Sequence, residues 1–227
     1  MLRIAIDGAC RRNGKPDCTA SGGMFVQTYA GDTLLSTDIR ACHEYNSTNQ
    51  RGELLALLEA LKYIMSTADD AQIITDSEYI FNAMTKVWYS KWAMNGWKTA
   101  GGDAVKNADL WKQIAEAKLQ CYRLGLDIIF YHIKGHVIPF GTVTADNLLS
   151  ADDTGMLLLK EVCKKYDASV ITKAESLQRA QLLSIKNNGF ALQPDILKSF
   201  VVSNVVVDAV ATAEVDNADL ARHNIGP

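Results

Sequence analysis

The stretch IITDSEYI, residues 73–80, ends an apolar run on a carboxylate, Asp76, and the way this junction is read decides the fold. AQIITDS, residues 71–77, reads as a short buried strand, and the residues from Ser77 onward read as a helix. A charged side chain at a strand's end is ordinarily a solvated loop residue. Upstream, TNQRGELLALLEALKYIM (48–65) places Leu54, Leu57, Leu58, Leu61 and Ile64 on one helical face. Before it, RIAIDGACRRNG (3–14), GGMFVQTYAG (22–31) and TLLSTDIRACH (33–43) follow at the short spacing of an antiparallel meander. Downstream, SEYIFNAMTKVWYSKWA (77–93) reads as one helix and the Gly- and Asn-rich MNGWKTAGGDAVKN as a loop. ADLWKQIAEAKLQCYRLG follows as a helix ended by Gly125, then a strand in LDIIFYHIKGH and a further helix opened by TADNLLSAD. The order β-β-β-α-β-α-α-β-α predicts an α/β (α+β) mixed sheet with helices packed on it.

Four carboxylates fall where the chain changes element: Asp7 in the first strand, Glu53 in the first turn of the first long helix, Asp76, and Asp146 at the start of the last core helix. Glu53 and Asp146 taken singly could serve a helix N-terminus, an effect of about 0.3–1 kcal/mol, and Asp7 could cap a turn. Four on one sheet edge would repel one another unless a cation neutralised them, so the grouping itself implies a divalent metal site.

Composition is that of an ordinary globular chain: 227 residues, 48% hydrophobic and 22% charged. No apolar run approaches the roughly 18 residues a bilayer span needs, and MLRIAIDGAC lacks a leader pattern, so a cytoplasmic protein without membrane contact is expected. Cys10, Cys18, Cys42, Cys121 and Cys163 are odd in number and lack CxxC spacing, and are read as free thiols. The formal net charge of −3 hides a local excess: Lys86, Lys91, Lys98, Lys106 and Lys112 stand against only Asp103 and Asp109. A polyanionic partner would therefore bind locally.

The motifs IDGAC, TNQRGEL, TDSEYI, NGWKTAGGDAVKNADLW and KGH, the last followed ten residues later by Asp146, resemble ribonuclease H, type 1, in order and spacing across roughly residues 1–152. The resemblance implies the ribonuclease H-like fold, a five-stranded mixed sheet flanked by helices. It implies that Asp7, Glu53, Asp76 and Asp146 bind two Mg²⁺ ions, with Mn²⁺ as substitute. Two hard cations about 4 Å apart stabilise both the attacking and the leaving oxygen of a phosphodiester, and oxygen donors suit Mg²⁺. The implied reaction cuts the RNA strand of RNA/DNA hybrids, leaving 3′-hydroxyl and 5′-phosphate ends. His136 in KGH would relay protons or help product leave. Asn13, Thr48, Asn49, Gln50 and Ser77 are implied substrate contacts, and Lys91, Lys98 and Lys106 belong to a basic protrusion that meets phosphates. Trp88 and Trp92, one helical turn apart, place at least one ring in the core.

The chain departs from the family pattern at Glu78, His132, Gly52 and the pair Arg11 and Arg12. Two other readings share these residues: a DNA-directed nuclease or strand transferase on the same fold, and a non-catalytic hybrid-binding module. NGWK and the Asn49/Gln50 pair speak against the first, and the full set of four carboxylates against the second.

Residues 1–154 are expected to form the catalytic domain and 155–227 a mainly helical extension. TGMLLLKEVCKKY and TKAESLQRAQLLSIKNN are helical in pattern. PDILKSFVVSNVVVDAVATAEVD is too apolar for solvent, and Ser203, Asn204, Asp208 and Thr212 recur in it at helical spacing. Its apolar residues need a sink: a small domain of their own, the back of the catalytic sheet, or a second copy in a homo-oligomer. Since the four ligand candidates precede residue 147, residues 1–154 are expected to retain cleavage without the tail.

Overall fold

The computed structural model describes residues 1–133 and 194–222. His136, Asp146, Cys163, the helix expected from TADNLLSAD, the first two helices expected in the tail and the 154/155 boundary lie outside the described residues.

The three-strand meander forms as the alternation predicts: β1 (Leu2–Arg11), β2 (Thr19–Ala30) and β3 (Thr33–Tyr45) pair antiparallel. After α1 (Asn49–Thr67), β4 (Ala71–Thr75) returns parallel to β1, and β5 (Ile128–His132) adds parallel to β4. The sheet order is β3-β2-β1-β4-β5, five strands and mixed, with helices on its faces.

Between β4 and β5 the single helix expected over 77–93 is two, α2 (Glu78–Thr85) and α3 (Trp88–Met94). The break is at Val87, whose backbone is left-handed with φ 56°. No Gly or Pro marks it; the turn lets both tryptophans fold back on the core. Trp88 and Trp92 are half-buried rather than core, and Trp92 meets the fully buried Trp111 edge-on at 5.3 Å. The next helix, α4 (Ala108–Arg123), ends where expected, with Gly125 at φ 73°.

Strand alternation sorts the sheet into two faces. Leu2, Ile4, Ile6, Met24 and Val26 join Leu54, Leu57, Leu58, Leu61 and Ile64 of α1 and Trp111 and Ile114 of α4 in one core. By register, Ala5, Phe25, Ile39 and Ile74 point the other way, and they too are buried.

The cover on that second face is α5 (Pro194–Arg222), which packs across β1, β2 and β3. Of the three sinks for the apolar tail, the helix takes the back of the sheet. Val206, Val207, Val210, Ala211 and Val215 are buried there. Ser203 donates to Gln27 at 3.1 Å and Ser21 donates to the Ala211 carbonyl. Polar ends lock the register: Arg11 pairs with Asp216, Arg12 with Asp219 at 2.7 Å, His43 with Glu214 at 2.8 Å, and Arg222 donates to the Asp17 carbonyl and Asn46. Arg11 and Arg12, odd as turn residues, are thus the partners of the tail.

One cysteine expectation is corrected. Cys10 and Cys18 form a disulfide, because the antiparallel register that pairs Cys10 with Ala20 brings the two ends of the β1–β2 turn together. Sequence spacing carries no trace of that pairing. Cys42 and Cys121 are free.

Candidate active site

Asp7, Glu53 and Asp76 converge where β1 and β4 run side by side. Parallel pairing extends from Leu2 with Ala71 to Ile6 with Thr75, so the next residue on each strand is an aspartate. Glu53 comes from α1, which lies so close to the sheet that a Cβ on Gly8 would stand 2.4 Å from the Glu53 amide nitrogen, and one on Gly52 would stand 2.3 Å from the Ser21 carbonyl oxygen. Gly52, a departure from the family pattern, is therefore required by this approach. Glu53 is the fifth residue of α1, and no acid occupies its first turn. The expectation of a first-turn position is corrected, and with it the reading of Glu53 as a charge stabilising the helix N-terminus.

Each carboxylate is held. Asp7, 5% exposed, accepts the Gly8 amide at 2.7 Å. Glu53 accepts Asn49 Nδ2 at 3.2 Å on one oxygen and Ser77 Oγ at 2.5 Å on the other. Beyond Asp76, Thr75 Oγ1 accepts the Ser77 amide, and the Asp76 carbonyl is 3.1 Å from His132 Nε2. His132, expected to be a packing change, is 8% exposed, tilts against Phe81 at 5.6 Å and braces the Asp76 backbone.

The electrostatics are those of crowded acids. Burial, then the charges of Asp76 and Asp208, hold the Asp7 carboxyl well above the usual range, and Glu53 adds to the effect. Burial also raises Glu53, opposed by the Ser77 hydrogen bond. Among the described residues no three His, Cys, Asp or Glu side chains already form a cluster able to hold an ion.

The expected substrate contacts mostly border this site, and several have structural duties as well. Thr48 caps α1, accepting the Arg51 amide, and Ser77 caps α2, accepting the Ile80 amide. Asn13 accepts the Asn49 amide at 3.4 Å, which ties the β1–β2 turn to the start of α1. Gln50 accepts Asn107 Nδ2 at 3.2 Å, joining α1 to the start of α4. Lys91, Lys98 and Lys106 are exposed along α3 and the loop after it. Arg51 neutralises Asp109 at 2.8 Å, and also pairs with Glu44, so of the two acids among the lysines Asp109 is already spent. Glu78 is exposed in the first turn of α2.

The RNase H family model matches residues 2–152. The chain belongs to the RNase H family. Among its relatives, the ribonuclease H of Roseobacter denitrificans is 35% identical over 145 residues, 64% of this chain and 90% of that protein. The ribonuclease H of Caldicellulosiruptor saccharolyticus is 33% identical over 159 residues, 70% of this chain and 96% of that one. The crystal structure of LC9-RNase H1, a type 1 RNase H with the type 2 active-site motif, superposes with a TM-score of 0.50 at 26% identity, covering 60% of this chain and 64% of that one. Membership classes the chain as a ribonuclease H enzyme, of a family whose catalysis depends on metal ions. The family match stops at residue 152, well short of α5. Among the described residues no helix is long and apolar enough to cross a membrane.

Proposed function

We propose that the chain is an endonuclease that hydrolyses the RNA strand of RNA/DNA hybrids to 3′-hydroxyl and 5′-phosphate ends, using two Mg²⁺ ions for which Mn²⁺ can substitute. The observation that carries this reading is the convergence of Asp7, Glu53 and Asp76 from β1, α1 and β4 in a chain of this family. The donor set fits such ions: carboxylate oxygens are the ligands hard divalent cations prefer, and their mutual repulsion is what a cation would relieve. When bound, the ions would supply Lewis-acid stabilisation of the attacking and leaving oxygens.

The rest falls to side chains of this chain. Gly8 and Ser77 orient Asp7 and Glu53 by hydrogen bonds, and His132 fixes the backbone that presents Asp76. Asn13, Thr48, Asn49 and Gln50 line the start of α1, where polar groups can meet a hybrid's minor groove and its 2′-hydroxyls. Lys91, Lys98 and Lys106 offer charge to phosphates farther along the duplex. His136, ten residues before Asp146, is suited to proton relay or product release.

The deciding experiment incubates labelled RNA/DNA hybrid, double-stranded DNA and double-stranded RNA of one sequence with the full chain, in Mg²⁺ and in EDTA. Cleavage confined to the hybrid's RNA strand, and abolished by EDTA, is expected. Equal cutting of double-stranded DNA would support a DNA-directed nuclease instead, and tight hybrid binding without cleavage would support a binding module.

A further inference from the structure

The packing of α5 on the sheet reaches the site itself. Asp7 pairs with Gly23 across β1 and β2. Gly23 in turn is where α5 comes closest: a Cβ there would stand 2.9 Å from both the Val207 carbonyl oxygen and the Ala211 amide nitrogen. Asp208 follows Val207 directly and lies one helical turn before Thr212, so this approach lays it beside the strand residue opposite Gly23. That residue is Asp7.

We propose that Asp208, carried to Asp7 by the packing of α5, is a ligand of the catalytic cations and the fourth carboxylate of the site. The proposal rests on the metal-dependent reading given above. Two observations support it, besides the close approach of α5 at Gly23. Asp208 is only half-buried on a helix whose sheet-facing neighbours Val207, Val210 and Ala211 are fully buried, which leaves its side chain at the rim of the packed face. The helix is fixed in register on both sides of Asp208 by Ser203 on Gln27 and by Ser21 on Ala211, so its position beside Asp7 is not free to slide.

Ligation by Asp208 would give the tail a part in catalysis. A carboxylate more than fifty residues past the end of the family match would complete a centre begun at residue 7. Arg11 and Arg12, which tie α5 to the end of β1, would then be positioning residues for Asp208, clamping the helix four residues beyond Asp7.

The test compares the full chain with Asp76→Asn, Asp146→Asn, Asp208→Asn and Asp208→Ala. Mg²⁺ and Mn²⁺ binding is read by titration calorimetry, the Mg²⁺-induced rise in Tm by calorimetric unfolding, and cleavage on labelled hybrid. Removal of the Asp208 carboxylate is expected to weaken Mn²⁺ binding by about 10-fold or more, to shrink the Mg²⁺-induced rise in Tm, and to lower turnover, in whichever of the two variants folds. Asp208 variants that bind Mn²⁺ and cleave like wild type, while Asp76→Asn does neither, would overturn the assignment and leave the wider reading intact. A wild-type chain that neither binds Mg²⁺ nor cleaves would remove that wider reading instead. Loss of Mn²⁺ binding in Asp146→Asn with none in the Asp208 variants would return the fourth position to Asp146.

Discussion

Ser77 Oγ donates to Glu53 Oε2 at 2.5 Å while it also accepts the Ile80 amide, so one hydroxyl caps α2 and orients a carboxylate of α1. The cap fixes where α2 starts after β4, and therefore where Asp76 is presented. The second bond favours the charged form of Glu53 against the burial that disfavours it. Ser77, grouped by resemblance with the substrate contacts, thus has a duty inside the site. Ser77→Ala is expected to cost about 1 kcal/mol through removal of the cap, measured by denaturant unfolding. Turnover should fall by about 10-fold, the range expected when the proposed metal ligand Glu53 loses its hydrogen-bond partner. With its donor gone, Glu53 holds its proton to higher pH, so the acid limb of the pH–rate profile should move up. An unmoved limb would mean that Ser77 acts only as a cap.

Stability should depend on pH with the opposite sign from ordinary acid denaturation. Asp7 has its folded value raised by burial and by Asp76 and Asp208, so the folded chain holds a proton that the unfolded chain has released. Folding is then favoured by this group below the unfolded value of about 4, and the contribution is lost as pH climbs through the folded value. Other acids blur the whole-protein curve, since Glu44 and Asp109 are lowered by Arg51 and contribute the other way. The clean quantity is the Tm of wild type minus that of Asp7→Asn in EDTA, which should fall as pH rises above about 4. Saturating Mg²⁺ should flatten the fall, because cations favour the ionised carboxylate. A difference that rises over this window would show that Asp7 is stabilised in its charged form.

The basic segment offers a test that leaves the chemistry alone. Lys91, Lys98 and Lys106 are exposed on α3 and the loop after it, elements that contribute none of the three carboxylates. Their joint replacement by Ala should weaken hybrid binding and reduce the slope of log affinity against log salt by about 0.9 for each duplex phosphate that is no longer neutralised, nearer 2–3 in all. Turnover at saturating hybrid should survive. A salt slope equal to wild type would show that phosphates do not reach these lysines.

How much of this was legible in the sequence depends on whether the deciding partner was local. Leu54 to Ile64 declare a helix face because their period is written in the chain, and the alternation of β1 and β2 declares two sheet faces in the same way. Asp7, Glu53 and Asp76 stood out because each sits in a short recognisable motif, IDGAC, TNQRGEL or TDSEYI. The break at Val87 was not, since neither Gly nor Pro marks a turn that is imposed by where Trp88 and Trp92 must pack. The Cys10–Cys18 bond follows from cross-strand register, which spacing does not encode. Arg11 and Arg12 stood out as unusual, but Asp216 and Asp219 are some two hundred residues away. Asp208 was visible as part of a polar stripe on an apolar helix. What the stripe faced was set by Gly23, a residue whose lack of a side chain says nothing by itself.

The tail offers the broadest test. Residues 1–154 were expected to work without it, yet α5 covers the sheet face that holds Ala5, Phe25 and Ile39. Burying a valine contributes about 1.5–3 kcal/mol, so Val206, Val207, Val210 and Val215 together contribute roughly 6–12 kcal/mol, an upper figure because unfolded chains already hide part of their surface. Whole domains are stable by only about 5–15 kcal/mol. Truncation before Pro194 should therefore give a chain that aggregates or unfolds, with Phe25 and its neighbours exposed, rather than a smaller working enzyme. Circular dichroism, sedimentation and cleavage of the truncated and full-length chains side by side measure this. Adding residues 194–222 back as a separate peptide should restore solubility and Mg²⁺-dependent cleavage, because the helix supplies the cover and Asp208 together. A soluble truncation with a full-length Tm would mean that the back of the sheet does not need α5, and a soluble, fully active one would also argue against Asp208.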